Sequence, residues 1–273
     1  MGVREAYYPL GISLIVVNGF AIATRFWARM GKGSMGYDDY TMGVAFLGFV
    51  IFVAMELRAV DLGIGATRIE PGFDMMEAAK YFTCAQVVYI LATGLSKIGI
   101  GLVLLRLSDK AGMTLVRWLL LSTMAVVGAT SIGVGLLFAL QCRPLSVAWG
   151  VGVGTCISTE TIGLGGIVLS VVDMAVSWFY ALLPVYMLWK VQLKTKLKIF
   201  VLVLLGFGAV SSISTIMRLK FVIEISQMEE SYGLAAAKTI QLSLEATLYS
   251  IAEIGLSIFA ASLTALRPLL IKL

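Results

Sequence analysis

Seven apolar segments, each long enough to cross a lipid bilayer, constrain the fold of this chain more than any other feature. They lie at about residues 7–26, 41–60, 81–105, 115–140, 164–189, 199–223 and 239–263. A helix needs roughly 20 apolar residues to cross the hydrocarbon core of a membrane. Because each backbone group there must be satisfied within the protein, we expect every segment to be helical. The sequence therefore predicts an all-α membrane protein, a bundle of seven transmembrane helices.

The composition and the short connections support one membrane domain. Hydrophobic residues make up 59% of the chain and charged residues 14%, and the mean hydropathy is +0.95, which is atypical of a water-soluble domain. No long polar linker divides the chain, so residues 1–273 are expected to form a single domain. The net charge of +5 comes from basic residues beside the segments. We therefore expect membrane lipids as partners and no nucleic acid.

The distribution of basic residues predicts the orientation. The stretches that follow segments one, three, five and seven contain 12 lysine and arginine residues, whereas the amino terminus and the other loops contain 7. Loops rich in lysine and arginine remain in the cytoplasm. The amino terminus is therefore predicted to be outside or lumenal and the carboxyl terminus cytoplasmic. The endoplasmic reticulum membrane is the favoured location, and the plasma membrane is the alternative.

Several ionisable side chains lie inside the apolar segments. An ionised group near the middle of a bilayer costs at least about 2.5 to 3.5 kcal/mol, so such groups usually have a partner or a function. One interpretation is a functional site in the bundle, and the other is a set of ion pairs that only fixes helix packing. For Lys97 a third outcome, extension toward the membrane surface, is equally open. The five residues concerned are Glu56, Lys97, Asp173, Arg218 and Glu253.

The loop after the first segment and the loop after the fourth each contain a local motif. In ARMGKGSMGYDDY, Asp38 or Asp39 is expected to cap the second helix and to pair with Arg29. In LQCRPLSVAWGVGVGTCI, Cys142 and Cys156 share one outer loop. On an oxidising side two such cysteines favour a disulfide over a metal site, since three cysteines and no histidine cannot complete a structural zinc site. The alternative partner is Cys84.

Taken together in order, the motifs resemble those of the fungal rhodopsin-domain, or satratoxin-cluster-4-like, membrane proteins, which include Pth11-like receptors. The resemblance covers nearly the whole chain. Three positions depart from the family pattern, because Thr67 stands where a histidine is usual, Ser170 where an asparagine is common and Leu263 where a proline is expected near the end of segment seven. The matching stretches are RFWARMGKGSMGYDDY, DLGIGATRIE, LSKIGIGLVLLRL, LQCRPLSVAWGVGVGTCI, VVDMAVSWFYALLPVYMLWKVQLKTKLKI, SSISTIMRL and AEIGLSIFAASLTALRPL.

The resemblance implies a role in fungal secondary metabolism, because similar proteins occur in biosynthetic gene clusters. A lipophilic terpenoid, meroterpenoid or polyketide would then be the substrate. The sequence contains no histidine, nucleophile elbow, Gly-rich nucleotide loop or metal-ligand set, so neither cofactor nor metal is expected. Acid/base chemistry by carboxyl groups in an apolar cavity remains, as in a cofactor-free cyclase or isomerase.

Within that hypothesis Asp173 is the favoured acid, because its sequence neighbours are apolar. Glu253 is the second carboxylate, steadied by Arg218, and Glu56 lies at an overlapping depth. The expected substrate-binding residues are Lys97, Tyr89, Trp178, Tyr180 and Tyr249.

The alternative is a seven-helix cell-surface receptor for a small or hydrophobic ligand. The predicted outside amino terminus, the outer-loop disulfide and the DDY motif suit a receptor equally well, whereas the short cytoplasmic loops favour an enzyme. The family name also suggests retinal, which forms a Schiff base with a lysine in the middle of the seventh helix. Lys238 lies at the outer end of that segment and Lys272 beyond it, so no retinal is expected.

Overall fold

All seven apolar segments lie in α-helices of the computed structural model, which confirms the predicted fold class. The structure describes residues 3–31, 33–66, 72–110, 112–189, 195–226 and 234–270, and for parts of the last three helices it describes the backbone alone. The helices extend a few residues beyond the apolar segments at most ends. They are α1 (Val3–Met30), α2 (Tyr37–Asp61), α3 (Met75–Lys110), α4 (Thr114–Ala139), α5 (Thr159–Trp189), α6 (Thr195–Ser226) and α7 (Leu234–Leu270).

The surface of the bundle is apolar, as a membrane environment requires. Within the described residues, six helices, all except α6, are long and apolar enough to cross a membrane. Large apolar side chains such as Phe20 of α1 and Trp118 of α4 are more than 70% exposed. Polar and charged side chains are instead buried between helices. Lys190 and Lys194, which contribute to the predicted orientation, lie outside the described residues, and the orientation stays a prediction.

The helices form a ring with α3 toward its interior. Each helix contacts the next in the chain and α7 returns to contact α1, while α3 also contacts α5 and α7. One apolar cluster, including Phe49, Phe52 and Ile254, joins α1, α2, α3 and α7. A second, including Leu104 and Leu120, joins α3, α4 and α5. Since α3 belongs to both clusters, it connects the two parts of the apolar core.

The loop between α4 and α5 contains a small antiparallel hairpin. Its strands are β1 (Cys142–Arg143) and β2 (Thr155–Cys156), joined by a short 3-10 helix, Leu145–Trp149. Cys142 and Cys156 are paired across the hairpin and form a disulfide, which confirms the predicted pairing. Cys84 is a free cysteine. Gly154 permits the close approach of the two strands, because a Cβ there would collide with the backbone oxygen of Arg143.

Candidate functional site

Four charged side chains from four helices converge inside the bundle, and we refer to them as the charged cluster. They are Lys97 of α3, Asp173 of α5, Arg218 of α6 and Glu253 of α7, and none is more than 6% exposed. Lys97 Nζ lies 3.2 Å from Asp173 Oδ2, and Arg218 Nη1 lies 3.9 Å from Glu253 Oε2. Two cations and two carboxyl groups therefore share one site that is withdrawn from the membrane.

The Lys97 ammonium group is held against α5. It donates a hydrogen bond to Ser177 Oγ at 2.5 Å, and the Ser177 hydroxyl in turn donates to the backbone oxygen of Asp173 at 2.7 Å. Ser177 lies one helical turn after Asp173, so one face of α5 provides both contacts. Of the outcomes open for Lys97, the structure therefore has the ion pair rather than extension toward the membrane surface.

Arg218 is bound mainly by an aromatic side chain. It donates a hydrogen bond to the Tyr89 hydroxyl, and its Cζ lies 4.6 Å from the centroid of the Tyr89 ring. Tyr89 is fixed in turn by Phe52, with 5.4 Å between the ring centroids. The 3.9 Å between Arg218 and Glu253 exceeds a hydrogen-bond distance. The arginine therefore neutralises Glu253 less directly than Lys97 neutralises Asp173.

Glu253 is fully buried, and neither of its carboxyl oxygens accepts a hydrogen bond within the described part of the chain. Its side chain lies close to the Asp173 carboxyl group. Two carboxyl groups buried close together are not both ionised, because like charges repel in the protein interior. Because Asp173 already pairs with Lys97, the geometry assigns the charge to Asp173 and the proton to Glu253.

An apolar cavity extends from the charged cluster toward the predicted cytoplasmic end. It encloses about 690 Å³, counting the space at its open side, and lies between α3, α5, α6 and α7. Its charged end is formed by Lys97, with hydroxyl groups from Ser177, Ser211 and Ser257 nearby. The rest of its wall is mainly apolar and includes Ile100, Leu104, Tyr180, Pro184, Leu256 and Ala260. An apolar wall with a few polar groups at one end is typical of small-molecule sites.

Lys97 separates this cavity from a smaller one beside α4. The smaller cavity, of about 220 Å³, is lined by Thr93, Ser131, Lys97 and Asp173. Asp173 lines only the smaller of these two cavities, whereas Lys97 lines both. A molecule in the large cavity would therefore meet the ammonium group first, with the carboxyl pair behind it.

The structure brings together some of the residues predicted for the site and separates others. Lys97 and Tyr180 line the large cavity, and Tyr89 contacts Arg218. Trp178, in contrast, is 42% exposed on the outside of the bundle. The physical reason is helix geometry, because residues 173, 177, 180 and 184 of α5 share one face and residue 178 lies well off it. The expected aromatic wall therefore contains Tyr180 without Trp178.

Two further predicted site residues lie apart from the large cavity. Tyr249 stacks on Phe221, with 5.9 Å between the ring centroids, and is not among the residues that line the described walls of the large cavity. Glu56 is fully buried in α2, where Gln86 Nε2 lies 3.5 Å from its Oε1. Lys272, one of the residues used to argue against retinal, lies outside the described residues, and so does the Lys238 side chain. The absence of retinal therefore stays a prediction.

A second buried charge network, which we call the Arg25 network, lies at the predicted cytoplasmic end. Arg25 is fully buried and donates from Nε to Asp39 Oδ1 at 2.7 Å and from Nη2 to Asp38 Oδ2 at 2.8 Å. Its Nη1 donates to the backbone oxygen of Ala261 in α7 at 2.8 Å. Arg29 Nη1 pairs with the same carboxylates, as the sequence predicts, at 2.9 and 3.2 Å.

The same network closes the first loop. Gly36 is the N-cap residue of α2, and Asp39, at the third helical position, takes part in the cap because its Oδ2 accepts a hydrogen bond from the Gly36 backbone at 3.0 Å. Arg106 of α3 lies 3.4 Å from Asp38 Oδ1 and donates to the Ser34 backbone oxygen at 2.8 Å. Sequence reasoning missed Arg25, which it counted only as a loop charge. The signal was its spacing of four residues from Arg29, which places both on one helix face.

The fold and the site together define a helical membrane bundle with a charged interior and an apolar cavity. The family model of the fungal rhodopsin domain matches residues 24–272. The chain belongs to this family. It is also 24% identical, over 93% of this chain and 70% of the relative, to the polyenoic acids biosynthesis gene cluster protein Ba17b of Metarhizium anisopliae. No solved structure matches the chain.

Proposed function

We propose that the protein is a cofactor-free biosynthetic enzyme that isomerises or cyclises a lipophilic terpenoid, meroterpenoid or polyketide inside the membrane. The observation that carries the proposal is the position of Lys97 at the end of an apolar cavity, with the Asp173 and Glu253 carboxyl groups behind it. Apolar walls with a few converging polar groups are typical of ligand sites. The name of the relative, a polyenoic acids biosynthesis cluster protein, supports a biosynthetic role.

In this proposal Lys97 is the catalytic group that touches the substrate. Its ammonium group donates a hydrogen bond, and then a proton, to a carbonyl or carboxyl oxygen of the substrate. Asp173 positions Lys97 through the 3.2 Å ion pair, and Glu253 supplies the proton that restores the ammonium group. The proton released from a substrate carbon at the end of the reaction returns to the carboxyl pair, so no net proton is consumed.

This assignment reverses the roles favoured from the sequence for the two carboxyl groups. Asp173 was expected to be the acid because its neighbours along the chain are apolar. Its spatial neighbour is Lys97, and an ammonium group at 3.2 Å stabilises the carboxylate form. Glu253, which lacks such a close cation, is the better proton donor of the pair.

The dimensions of the cavity favour an elongated substrate with an oxygen function at one end. The wall contributed by α3 extends from Lys97 to Leu104, which is about 10 Å at 1.5 Å per residue. The wall contributed by α7 extends from Leu256 to Thr264, about 12 Å. We propose that the oxygen binds at Lys97 and the hydrocarbon part lies along Tyr180 and Leu256.

The test is product formation in membranes that contain the wild-type protein or Lys97→Met at matched expression. The probes are lipophilic carbonyl compounds and polyene acids, and the readout is a product of unchanged mass with a new retention time. We expect the wild type and the exposed control Lys80→Met to form the product and Lys97→Met to lose at least about a hundredfold. Equal turnover by Lys97→Met would contradict the proposal.

A receptor is the second candidate, and one contact favours it. Ala261 lines the large cavity, and its backbone oxygen accepts the Arg25 hydrogen bond. A ligand in the cavity is thereby adjacent to the Arg25 network at the predicted cytoplasmic end. For a receptor in the plasma membrane, ligand binding would alter that loop without any product being formed, whereas an enzyme of the endoplasmic reticulum would form one.

A further inference from the structure

Unpartnered polar atoms are concentrated along one interface of the bundle. The described residues contain six buried side-chain nitrogen or oxygen atoms that have no hydrogen-bond partner. Four of these atoms are Oε2 of Glu56, Oγ1 of Thr93 and the two carboxyl oxygens of Glu253. Buried polar atoms are nearly always paired with protein or with ordered water. Such a group of atoms is typical of a site that binds ordered water.

Oε2 of Glu56 and the two carboxyl oxygens of Glu253 border a polar stripe where α3 contacts α7, and the Thr93 hydroxyl lies on α3 where it lines the smaller cavity. Polar residues recur every three or four positions on both helices, which places them on one face of each. The stripe is about 16 Å long, because its α3 side covers eleven residue steps of 1.5 Å. We call it the α3–α7 seam, and it comprises Gln86, Tyr89, Thr93 and Lys97 of α3 and Thr247, Ser250, Glu253 and Ser257 of α7.

Glu56 of α2 borders the outer end of the seam. Gln86 Nε2 lies 3.5 Å from Glu56 Oε1 and 3.3 Å from Thr247 Oγ1, so one amide group bridges the carboxyl group to α7. Both distances are at the long limit for a hydrogen bond, which leaves the groups free to bind water as well. Tyr7 flanks this end and is committed to the Leu244 backbone oxygen at 2.8 Å.

Glu253 lies in the inner part of the seam, beside the other side chains of the charged cluster. It faces Asp173, Lys97 and Arg218, and Tyr89 lies alongside and accepts the Arg218 hydrogen bond. Between Glu56 and Glu253 the unpartnered Thr93 hydroxyl and the Ser250 hydroxyl supply intermediate polar groups. A water molecule in such a site needs two to four polar partners, and the seam provides them along its length.

We propose that the α3–α7 seam binds a file of water molecules and conducts protons between Glu56 and the Glu253–Asp173 pair. In each step an O–H bond of a donor carboxyl group or water breaks and an O–H bond on the next water forms. One proton is moved in total, and no redox partner takes part. Glu56 is thereby the proton-exchanging group of the outer half of the bundle. The use of this proton to restore the catalytic pair rests on the proposed function, whereas the path itself does not.

Infrared spectroscopy of the purified protein in lipid nanodiscs tests the path without a substrate. The protonated carboxyl group of Glu253 gives a C=O stretching band, identified by its loss in Glu253→Gln, and the band shifts when H₂O is replaced by D₂O. We expect the shift to be at least about tenfold slower in Glu56→Gln and in Gln86→Met, since each removes a group that the proton must pass. The exposed control Glu77→Gln should exchange at the wild-type rate.

Two results would overturn the inference. Exchange at the wild-type rate in both seam variants would mean that protons reach Glu253 by another route, such as the large cavity. A spectrum in which Glu253→Gln removes no carboxylic acid band would mean that Glu253 carries no proton. If Glu56→Gln failed to fold, Gln86→Met would still decide the question. Slow exchange in the seam variants together with full turnover by Lys97→Met would contradict the proposed function and would still support the proton path.

Discussion

The Arg25 network and the charged cluster are both buried sets of arginine or lysine with two carboxyl groups, but they differ in how completely their groups are paired. Arg25 uses Nε, Nη1 and Nη2 in hydrogen bonds of 2.7 to 2.8 Å. In the charged cluster Arg218 lies 3.9 Å from Glu253, whose carboxyl oxygens accept no hydrogen bond within the described residues. One network is saturated, and the other is not.

This difference separates a structural role from a functional one. A fully satisfied polar network rigidifies the helices that it joins, here α1, α2, α3 and α7. A buried group left without partners costs free energy, so its persistence requires another explanation, such as catalysis or bound water. The saturated network contacts no described cavity except through the Ala261 backbone oxygen, whereas Lys97 of the charged cluster lines two. The proposed function therefore places stability in the first network and chemistry in the second.

The largest effect on stability is expected for Arg25→Met. The substitution leaves Asp38 and Asp39 with fewer partners in the protein interior, and breaking a buried ion pair costs about 3 to 5 kcal/mol. The control is Arg117→Met, whose side chain is 57% exposed and lies 3.7 Å from Asp109. Exposed pairs contribute about 0 to 1 kcal/mol. Thermal unfolding in nanodiscs measures both, and equal losses would remove the distinction between saturated and exposed pairs.

The next largest effect is expected for Lys97→Met in the charged cluster, which should lower both stability and turnover. Lys97→Met leaves Asp173 unpaired and should lower the unfolding free energy by about 3 kcal/mol. The double variant Lys97→Met, Asp173→Leu removes both charges and should recover most of that stability without recovering turnover. Melting temperature and product formation are measured on the same preparations. If the double variant were as unstable as the single one, the loss of stability would come from altered side-chain packing and not from an unpaired buried charge.

A smaller loss is expected for Tyr89→Phe. The ring remains beneath Arg218, but the hydroxyl group that accepts the Arg218 hydrogen bond is removed. A hydrogen bond to a charged group contributes about 1.5 to 3 kcal/mol, so the unfolding free energy should fall by that amount. Tyr37→Phe, with an 86% exposed side chain, serves as the control. An unchanged melting temperature for Tyr89→Phe would mean that Arg218 is held by other groups.

The smallest effect is expected at Trp178, and this variant tests which face of α5 belongs to the site. Because its side chain lies on the outside of the bundle, Trp178→Leu should change stability by less than about 0.5 kcal/mol and leave turnover intact. Tyr180→Leu, two residues further on, changes the wall of the large cavity and should weaken substrate use. Initial rates over a range of substrate concentrations compare the two. A loss of turnover in Trp178→Leu would place the site elsewhere on α5.

The sequence predicted the helices and the disulfide because both depend on local information. Segment length and hydropathy define where a chain crosses a membrane, and Cys142 and Cys156 share one short loop. The rotation of each helix about its axis depends on packing against neighbours, which hydropathy does not encode. Trp178 was therefore assigned to the site although it faces outward. The helical spacing of Asp173, Ser177 and Tyr180 already indicated which face of α5 points into the bundle.

The partners of buried charges were the least predictable part of the site. Lys97 had three open outcomes from the sequence, and only the structure places it 3.2 Å from Asp173. Glu56 was grouped with the catalytic residues because its depth overlaps theirs. The structure instead places it beside Gln86, at the far end of the α3–α7 seam. The depth of a residue in the membrane can be predicted from the sequence, but the neighbouring helix that supplies its partner cannot.

The most direct test of the division between the two networks is to measure unfolding free energy and turnover in Glu253→Gln and Asp38→Asn side by side. Asp38 is a fully engaged partner of Arg25 and Arg29, whereas Glu253 has no hydrogen-bond partner among the described residues and lies 3.9 Å from Arg218. We predict that Glu253→Gln keeps its stability and loses at least about a hundredfold in turnover. Asp38→Asn should lose stability and, once folded, retain turnover. A stable, fully active Glu253→Gln would contradict the account.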